Sequence, residues 1–342
     1  MDSKILSALI GAAVAAISII SKDYFLEIIK ENRHAKQTKY HTFKLYANPI
    51  IKSTESLCWR LKEIFEQRGA FLMENEPRNE FFEYKYVSTN YRLGVLIGWI
   101  RAINREFAYI ETTESDGNIE IEHAFLEFQK SLADGQHMEL SILKELCNCW
   151  HISLSNLSTE GQAKLAVKVE EIVFNMTKDK KTIHANKLPD PEQIQLLQKI
   201  ADSICQTVKC TKINNAVITE TKSRAINEIS RIEIWIYRDW QNAIGDLMLK
   251  NIEHASRRYD LIGYGEFEDL FYSENKWILR LKRLFNNLNV EIDDRFDARV
   301  GQLKRLYKAS IKILVAFNQF NEKQETIPIE SINNLSDFCK KI

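Results

Sequence analysis

The residue types best suited to chemistry fall in three places. Cys147-x-Cys149-x-His151 offers three soft metal ligands within five residues. A structural zinc site takes four ligands, often from paired CxxC motifs, and no second cluster at suitable spacing completes the set. No metal is therefore expected. Cys205 and Cys210 read as thiols that flank or line a core. Glu291, Asp293, Asp294 and Asp297 are dense enough for a divalent cation or an acid–base pair. The same density suits a helix start, where the macrodipole favours negative charge, and that reading is preferred. The seven histidines are scattered, and GxGxxG, GxxxxGK[ST], GxSxG and HExxH are all absent. These residues predict neither an enzyme nor a cofactor.

The third place is a basic and aromatic texture near the C-terminus. Arg257-Arg258-Tyr259 begins it, and Lys276-Trp277, Arg280, Lys282, Arg283 and Phe285 continue it. Arg295, Arg299, Lys304, Arg305, Tyr307, Lys308 and Lys312 complete it. From 270 to 312 there are ten Lys or Arg against five Asp or Glu, in a chain of zero net charge. Cations bind phosphates and rings stack on bases. Arg257, Arg258, Arg280, Lys282, Arg283, Arg299, Lys304, Arg305 and Lys308 are accordingly the expected contacts for an anionic ligand, a short single-stranded DNA or another nucleotide. Helical spacing brings Arg280 and Arg283 near one face, and Arg305, Lys308 and Lys312 near another. An antiparallel pair of those two helices would border a groove. The competing reading is a wet face of ordinary amphipathic helices, with Trp277, Phe285 and Tyr307 buried.

The elements that must position these groups are helical. Gly (11) and Pro (5) are few among 342 residues, 45% of them apolar, which favours long helices over strands and turns. The expected class is all-α, with a single N-terminal transmembrane helix and a helical body in two parts. Residues 5–21 carry no charge and span roughly 25 Å as a helix, close to the hydrocarbon thickness of about 30 Å. Lys22, Lys30, Arg33, Lys36, Lys39 and Lys44 follow, whereas only Lys4 precedes. The positive-inside rule then puts the body in the cytoplasm, held to a membrane by a single pass. Reduced thiols fit that compartment. Ser7, Gly11, Val14, Ser18 and Ser21 share one stripe of the segment. Small residues let membrane helices approach closely, so the chain is expected to self-associate in the lipid bilayer. The stripe suits a narrow pore, close packing in a non-conducting bundle, or a simple anchor.

Along the body, residues 24–45 read as a polar helix leaving the membrane. Asn48-Pro49 fits an N-cap and first helical position. Helical patterns recur at 79–110, 119–134, 136–151, 159–178, 192–207, 218–260, 265–289 and 295–320. Within 226–237 the isoleucines suit a helix at one spacing and a strand at another, and helix is preferred. Ser88 or Thr89 is expected to cap a helix. Gly94 and Gly98 allow close helix approach. The polar, Pro-bearing stretch 178–192 divides the chain into an anchor (1–23), a first helical domain (24–180) and a second (188–342).

Ser88, Thr89, Tyr91, Gly98, Trp99, Arg105 and Glu106 form a pattern similar to that of bacterial proteins with an N-terminal membrane helix followed by a polar helix. Over roughly residues 1–110 the layout resembles that of N-terminally anchored membrane effectors of anti-phage defence, the Hailong-type effector among them. That resemblance implies a homo-oligomer, a tetramer in the Hailong-type case, restrained by short single-stranded DNA made by a partner nucleotidyltransferase. It implies no particular binding residue.

Overall fold

The computed structural model describes residues 3–73, 79–108, 119–133, 138–178, 185–253, 257–320 and 327–342, with the side chains of residues 3–26, of several more before residue 40, and of Ile232, Glu233 and Phe320 outside the description. The protein is predominantly helical. Helix α1 runs unbroken over Ser3–Glu66, 64 residues, about 96 Å at 1.5 Å per residue. Ser7, Gly11, Val14, Ser18 and Ser21 lie on its first part, and their side chains fall outside the described residues. Among the described residues no helix is long and apolar enough to cross a membrane.

Asn48-Pro49 does not begin a helix, because Pro49 sits inside α1. An interior proline forfeits a hydrogen bond, at a cost of about 3 kcal/mol. Burial on both sides offsets it: Tyr46, Ala47, Ile50 and Ile51 are all within 3% of full burial. Helix α2 (Glu80–Phe107) starts at Asn79, whose side chain accepts the Phe82 N–H at 2.9 Å. The expected caps, Ser88 and Thr89, are instead buried within α2, and the Thr89 hydroxyl donates to the Lys85 carbonyl (2.7 Å).

The remaining helices are α3 (Ile119–Leu132), α4 (Met138–Cys149), α5 (Thr159–Thr177), α6 (Asp190–Val208), α7 (Asn215–Ser230), α8 (Arg238–Met248), α9 (Tyr264–Tyr272), α10 (Lys276–Phe285), α11 (Ala298–Phe320) and α12 (Ile329–Cys339). The ambiguous stretch 226–237 is helical to Ser230, makes a 3₁₀ turn over Arg231–Ile234, and then leaves the helix. The helix expected over 218–260 also ends early, at Met248. Strand β1 (Leu249–Asn251) pairs antiparallel with β2 (Tyr259–Leu261), Leu249 opposite Leu261. This ribbon packs on α2 at Gly98, where an added Cβ would lie 2.9 Å from both Met248 Cβ and Leu261 Cδ2. Across the same contact, a Cβ on Gly245 would lie 2.6 Å from Arg101 Cβ. These glycines let α8 and the ribbon approach α2 to near backbone distance.

Two apolar cores result. The first joins α1 from Phe43 onward with α2, α3 and everything from Ile236 to the C-terminal helix. The second is built from Met138 to Trp235, that is α4–α7 and the turn after them. The second core is thus an insertion between α3 and α8 of the first. The expected division at 180–188 runs through the middle of the second core: Leu165 and Val169 before it share that core with Leu188 and Leu196 after it. Pro189 stands immediately before α6, so the polar stretch marks a helix start.

The two chain crossings between the cores meet at one point. The Ile236 N–H donates to the Leu132 carbonyl (3.1 Å), and Gln302 Nε2 donates to that same carbonyl (3.1 Å). Gln241, buried, donates to the carbonyls of Gln129 (2.9 Å) and Ile236 (2.7 Å).

Candidate functional site

A cleft of about 780 Å³ opens between the two cores. This volume falls within the range of small-molecule sites. From the first core come Glu83 and Tyr86 on α2, Phe271 and Tyr272 at the end of α9, Leu279, Lys282 and Arg283 on α10, and Phe296, Asp297 and Arg299 at the start of α11. From the second come Asn186, Lys187, Ser223, Ile226, Asn227, Ser230, Arg231 and Ile234.

The amphipathic pattern of α10 positions its share. Ile278, Leu281, Leu284 and Phe285 are buried, so Lys282 and Arg283 fall to the open side. Asn275 caps the helix, accepting the Trp277 N–H at 2.9 Å. Arg299 holds the other end: it donates to the carbonyls of Arg283 (3.2 Å), Asn286 (2.6 Å) and Asn287 (3.1 Å), while its guanidinium also grips Asp297 (2.6 Å). Tyr86 donates to Asn286 Oδ1 (3.2 Å), and Tyr272 donates to Glu83 (2.9 Å).

The cations of the lining differ in their commitments. Lys282 Nζ donates to the Phe271 carbonyl and lies 3.8 Å above the Phe271 ring, and burial lowers its pKa. Arg231 pairs with Glu228 (3.1 Å) and donates to Ser141 (2.9 Å). Lys187 and Arg283 are exposed and make no ion pair or hydrogen bond through their side chains among the described residues. Tyr272, Leu279 and Phe296 are exposed large apolar side chains on the same lining. Free cations beside exposed rings suit a ligand with an anionic end and a planar apolar part.

Three of the nine expected anion contacts, Lys282, Arg283 and Arg299, therefore meet in one cleft. The other six do not line it. Arg257 lies 5.2 Å from the Trp99 ring centroid and pairs with Asp260 (3.4 Å). Arg258 faces Glu106 (3.8 Å). Arg280 stacks on Trp240 (3.2 Å), and burial lowers its pKa. Lys304, Arg305 and Lys308 lie along α11, which packs on α3 and α1, whereas α10 packs on α2 and α8. The expected groove between α10 and α11, shared by both basic rows, is not formed. Phe285 and Tyr307 are fully buried and cannot stack on a ligand, and the Tyr307 hydroxyl donates to the Leu335 carbonyl (2.8 Å). Trp277 is half-buried against the first core. Lys187, Arg231 and the rings of Tyr272 and Phe296 were not singled out in the sequence. Lys187 stands in the polar, Pro-bearing stretch 178–192, which reads as a divider and carries no signal of a site at that residue.

The acidic cluster precedes α11, as expected, and three of its members are ion-paired: Asp293 with Arg295 (2.6 Å), Asp297 with Arg299, and Glu291 with the distant Arg68 (2.9 Å). Hydrogen bonds from Arg295 hold Asp293 well below the usual carboxylate range. Cys147, Cys149 and Cys205 are buried and Cys210 is exposed; burial pushes the Cys147 thiol up to about 12 and Cys205 up to about 11. Among the described residues no group of three or more His, Cys, Asp or Glu is placed to hold a metal ion.

Comparison with protein-family models, with curated proteins and with solved structures finds no match.

Proposed function

We propose that this chain is an oligomeric, membrane-anchored effector of bacterial anti-phage defence, in which an anionic ligand of the nucleotide class, seated in the cleft, controls a pore or lesion formed by the N-terminal segments. The observation that carries the proposal is the unbroken helix from the apolar segment into the first core. A rigid helix passes displacement along its length, and α1 packs directly on α2, whose Tyr86 lines the cleft. A ligand that prefers one placement of α2 therefore biases α1 as well. The cleft lining offers cations and rings, which are recognition groups. The basic flank after Ser21 puts the body on the cytoplasmic side.

A charge tests the anchor. Val14→Asp places a carboxylate near the middle of the apolar segment, at a cost of about 2.5–3.5 kcal/mol for insertion. The variant is expected to leave the carbonate-washed membrane fraction, and its full retention there overturns the anchor. Membrane-potential dyes then separate a pore from the alternative, a non-conducting scaffold that recruits a partner. The scaffold draws support from Val167 and Phe174 on α5, which are 59% and 63% exposed. Depolarisation on overexpression that Ser18→Leu abolishes supports the pore. A flat trace under every activating condition leaves the scaffold.

A further inference from the structure

We infer that the cleft is a two-walled phosphate clamp, in which Arg283 of the first core and Lys187 of the second grip one phosphomonoester, and that the second core rotates about the Leu132–Ile236 crossing to close it. The inference rests on the reading of the cleft as an anion site and adds to it the ligand's chemistry and the motion.

The cations of the cleft divide into two groups. Lys282, Arg231 and Arg299 are held by protein groups, so each is spent on architecture. Arg283 and Lys187 are exposed, come one from each core, and have no side-chain partner among the described residues. Two like charges on opposite walls repel. A phosphate dianion between them replaces that repulsion with two attractions, and guanidinium and ammonium are both good phosphate donors. A phosphate thus serves as counter-charge to both walls.

The connection between the cores permits the motion. Both crossings of the chain are tied at the single Leu132 carbonyl, and beyond them the 3₁₀ turn Arg231–Ile234 of the second core meets α10 of the first only lightly. On the cleft side Asn227 bridges them, donating to the Arg295 carbonyl at 3.4 Å and accepting the Ala298 N–H at 3.3 Å. Both distances exceed the usual 2.7–3.2 Å range, so these ties are weak. Ser230, 5% exposed and part of the lining, keeps its hydroxyl buried with no hydrogen-bond partner among the described residues. An unsatisfied buried hydroxyl is costly, and a ligand oxygen reached by a small adjustment would satisfy it.

The rest of the ligand follows from the exposed apolar side chains. Tyr272, Leu279 and Phe296 line the same cleft as the free cations. A phosphomonoester that also carries a planar ring fills both requirements, whereas inorganic phosphate fills only one.

The test uses the full chain in detergent and adenosine 5′-monophosphate as probe, with adenosine and ribose 5-phosphate as comparisons. Adenosine lacks the charge and ribose 5-phosphate lacks the planar base, so each is expected to bind at least about tenfold more weakly than the probe. Lys187→Gln and Arg283→Gln replace exposed residues and leave the cores untouched. Each is expected to weaken binding about tenfold, and the double variant little further, because a clamp with one jaw missing is already open. Motion is read between spin labels on Cys210, exposed in the second core, and Lys308→Cys, exposed in the first, in a Cys339→Ser background where the other four thiols are buried. The probe is expected to shift the label distance, and either Gln variant to abolish the shift. Additive losses, or label distances unmoved at saturating probe, overturn the clamp while leaving an anion site in place. Absence of binding by the probe overturns both readings.

Discussion

Phe317→Ala is expected to destabilise the protein by about 3–5 kcal/mol, the usual cost of emptying a buried phenylalanine site. Phe317 on α11 is fully buried and packs on Phe43 of α1 (ring centroids 6.2 Å apart, 70° between planes) and Phe125 of α3 (5.7 Å). Phe43 in turn packs edge-on against Phe107 of α2 (4.7 Å). Removing Phe317 therefore opens a void where three helices meet, and the rigid neighbours can only partly fill it. A typical domain is stable by only about 5–15 kcal/mol, so this single change takes a large share. Phe296→Ala is the matched comparison: Phe296 is 47% exposed and should change stability by no more than about 0.5 kcal/mol. Denaturant midpoints measure both. Equal shifts for the two variants would remove α11 from its place at the centre of the first core.

Arg299→Ala is expected to cost about 2–4 kcal/mol, judged from hydrogen bonds to charged groups, of which several are lost together. Three carbonyls at the end of α10 lose a donor, and Asp297 loses its partner. The C-terminal carbonyls of a helix have no partners within it, so a side chain that satisfies them fixes where the helix stops. Arg283 sits in that last turn, so its position in the cleft depends on Arg299. Arg299→Ala should therefore lower both the melting temperature and the affinity for adenosine 5′-monophosphate. Arg283→Gln should lower affinity alone. If Arg299→Ala reduces affinity with no loss of stability, Arg299 is a ligand contact, as its charge alone suggested, and its structural role is wrong.

Much of the fold could be read from the residues. The helices at 119–132, 138–149, 159–177 and 190–208 each follow a regular apolar spacing, and all stand close to their expected bounds. Gly94 and Gly98 were legible as a close helix approach because small residues four apart share a face. Less legible was anything decided by distant partners. Pro49 stops a helix in isolation, and only burial on both sides carries α1 through it. Leu249–Asn251 looks helical locally, but Leu261 pairs with it and fills the notch at Gly98. The site shows the same limit. Charge density from 270 to 312 marked the right neighbourhood, and Lys282, Arg283 and Arg299 do line the cleft. Density cannot show that Arg257 is engaged by Trp99 and Asp260, or that Lys187, nearly a hundred residues away, comes to the cleft that Arg283 lines.

The insertion of one core within the other has a consequence during synthesis. The first core needs residues on both sides of the inserted segment, so it stays incomplete until the chain beyond Ile236 has emerged from the ribosome. The second core lies wholly within Met138 to Trp235 and can close as soon as that segment is out. At roughly 5–20 residues per second, the apolar faces of α1, α2 and α3 wait on the order of 5–20 seconds for α8 to begin and about 10–40 seconds for α12 to end. That wait is long for a chain exposing Phe43, Leu57, Leu96 and Phe128. Nascent chains arrested once Tyr237 has just cleared the ribosome should show protease resistance confined to 138–235, and chaperone capture confined to the segment before it. Protection of both segments at that length would mean the first core holds together without its C-terminal half.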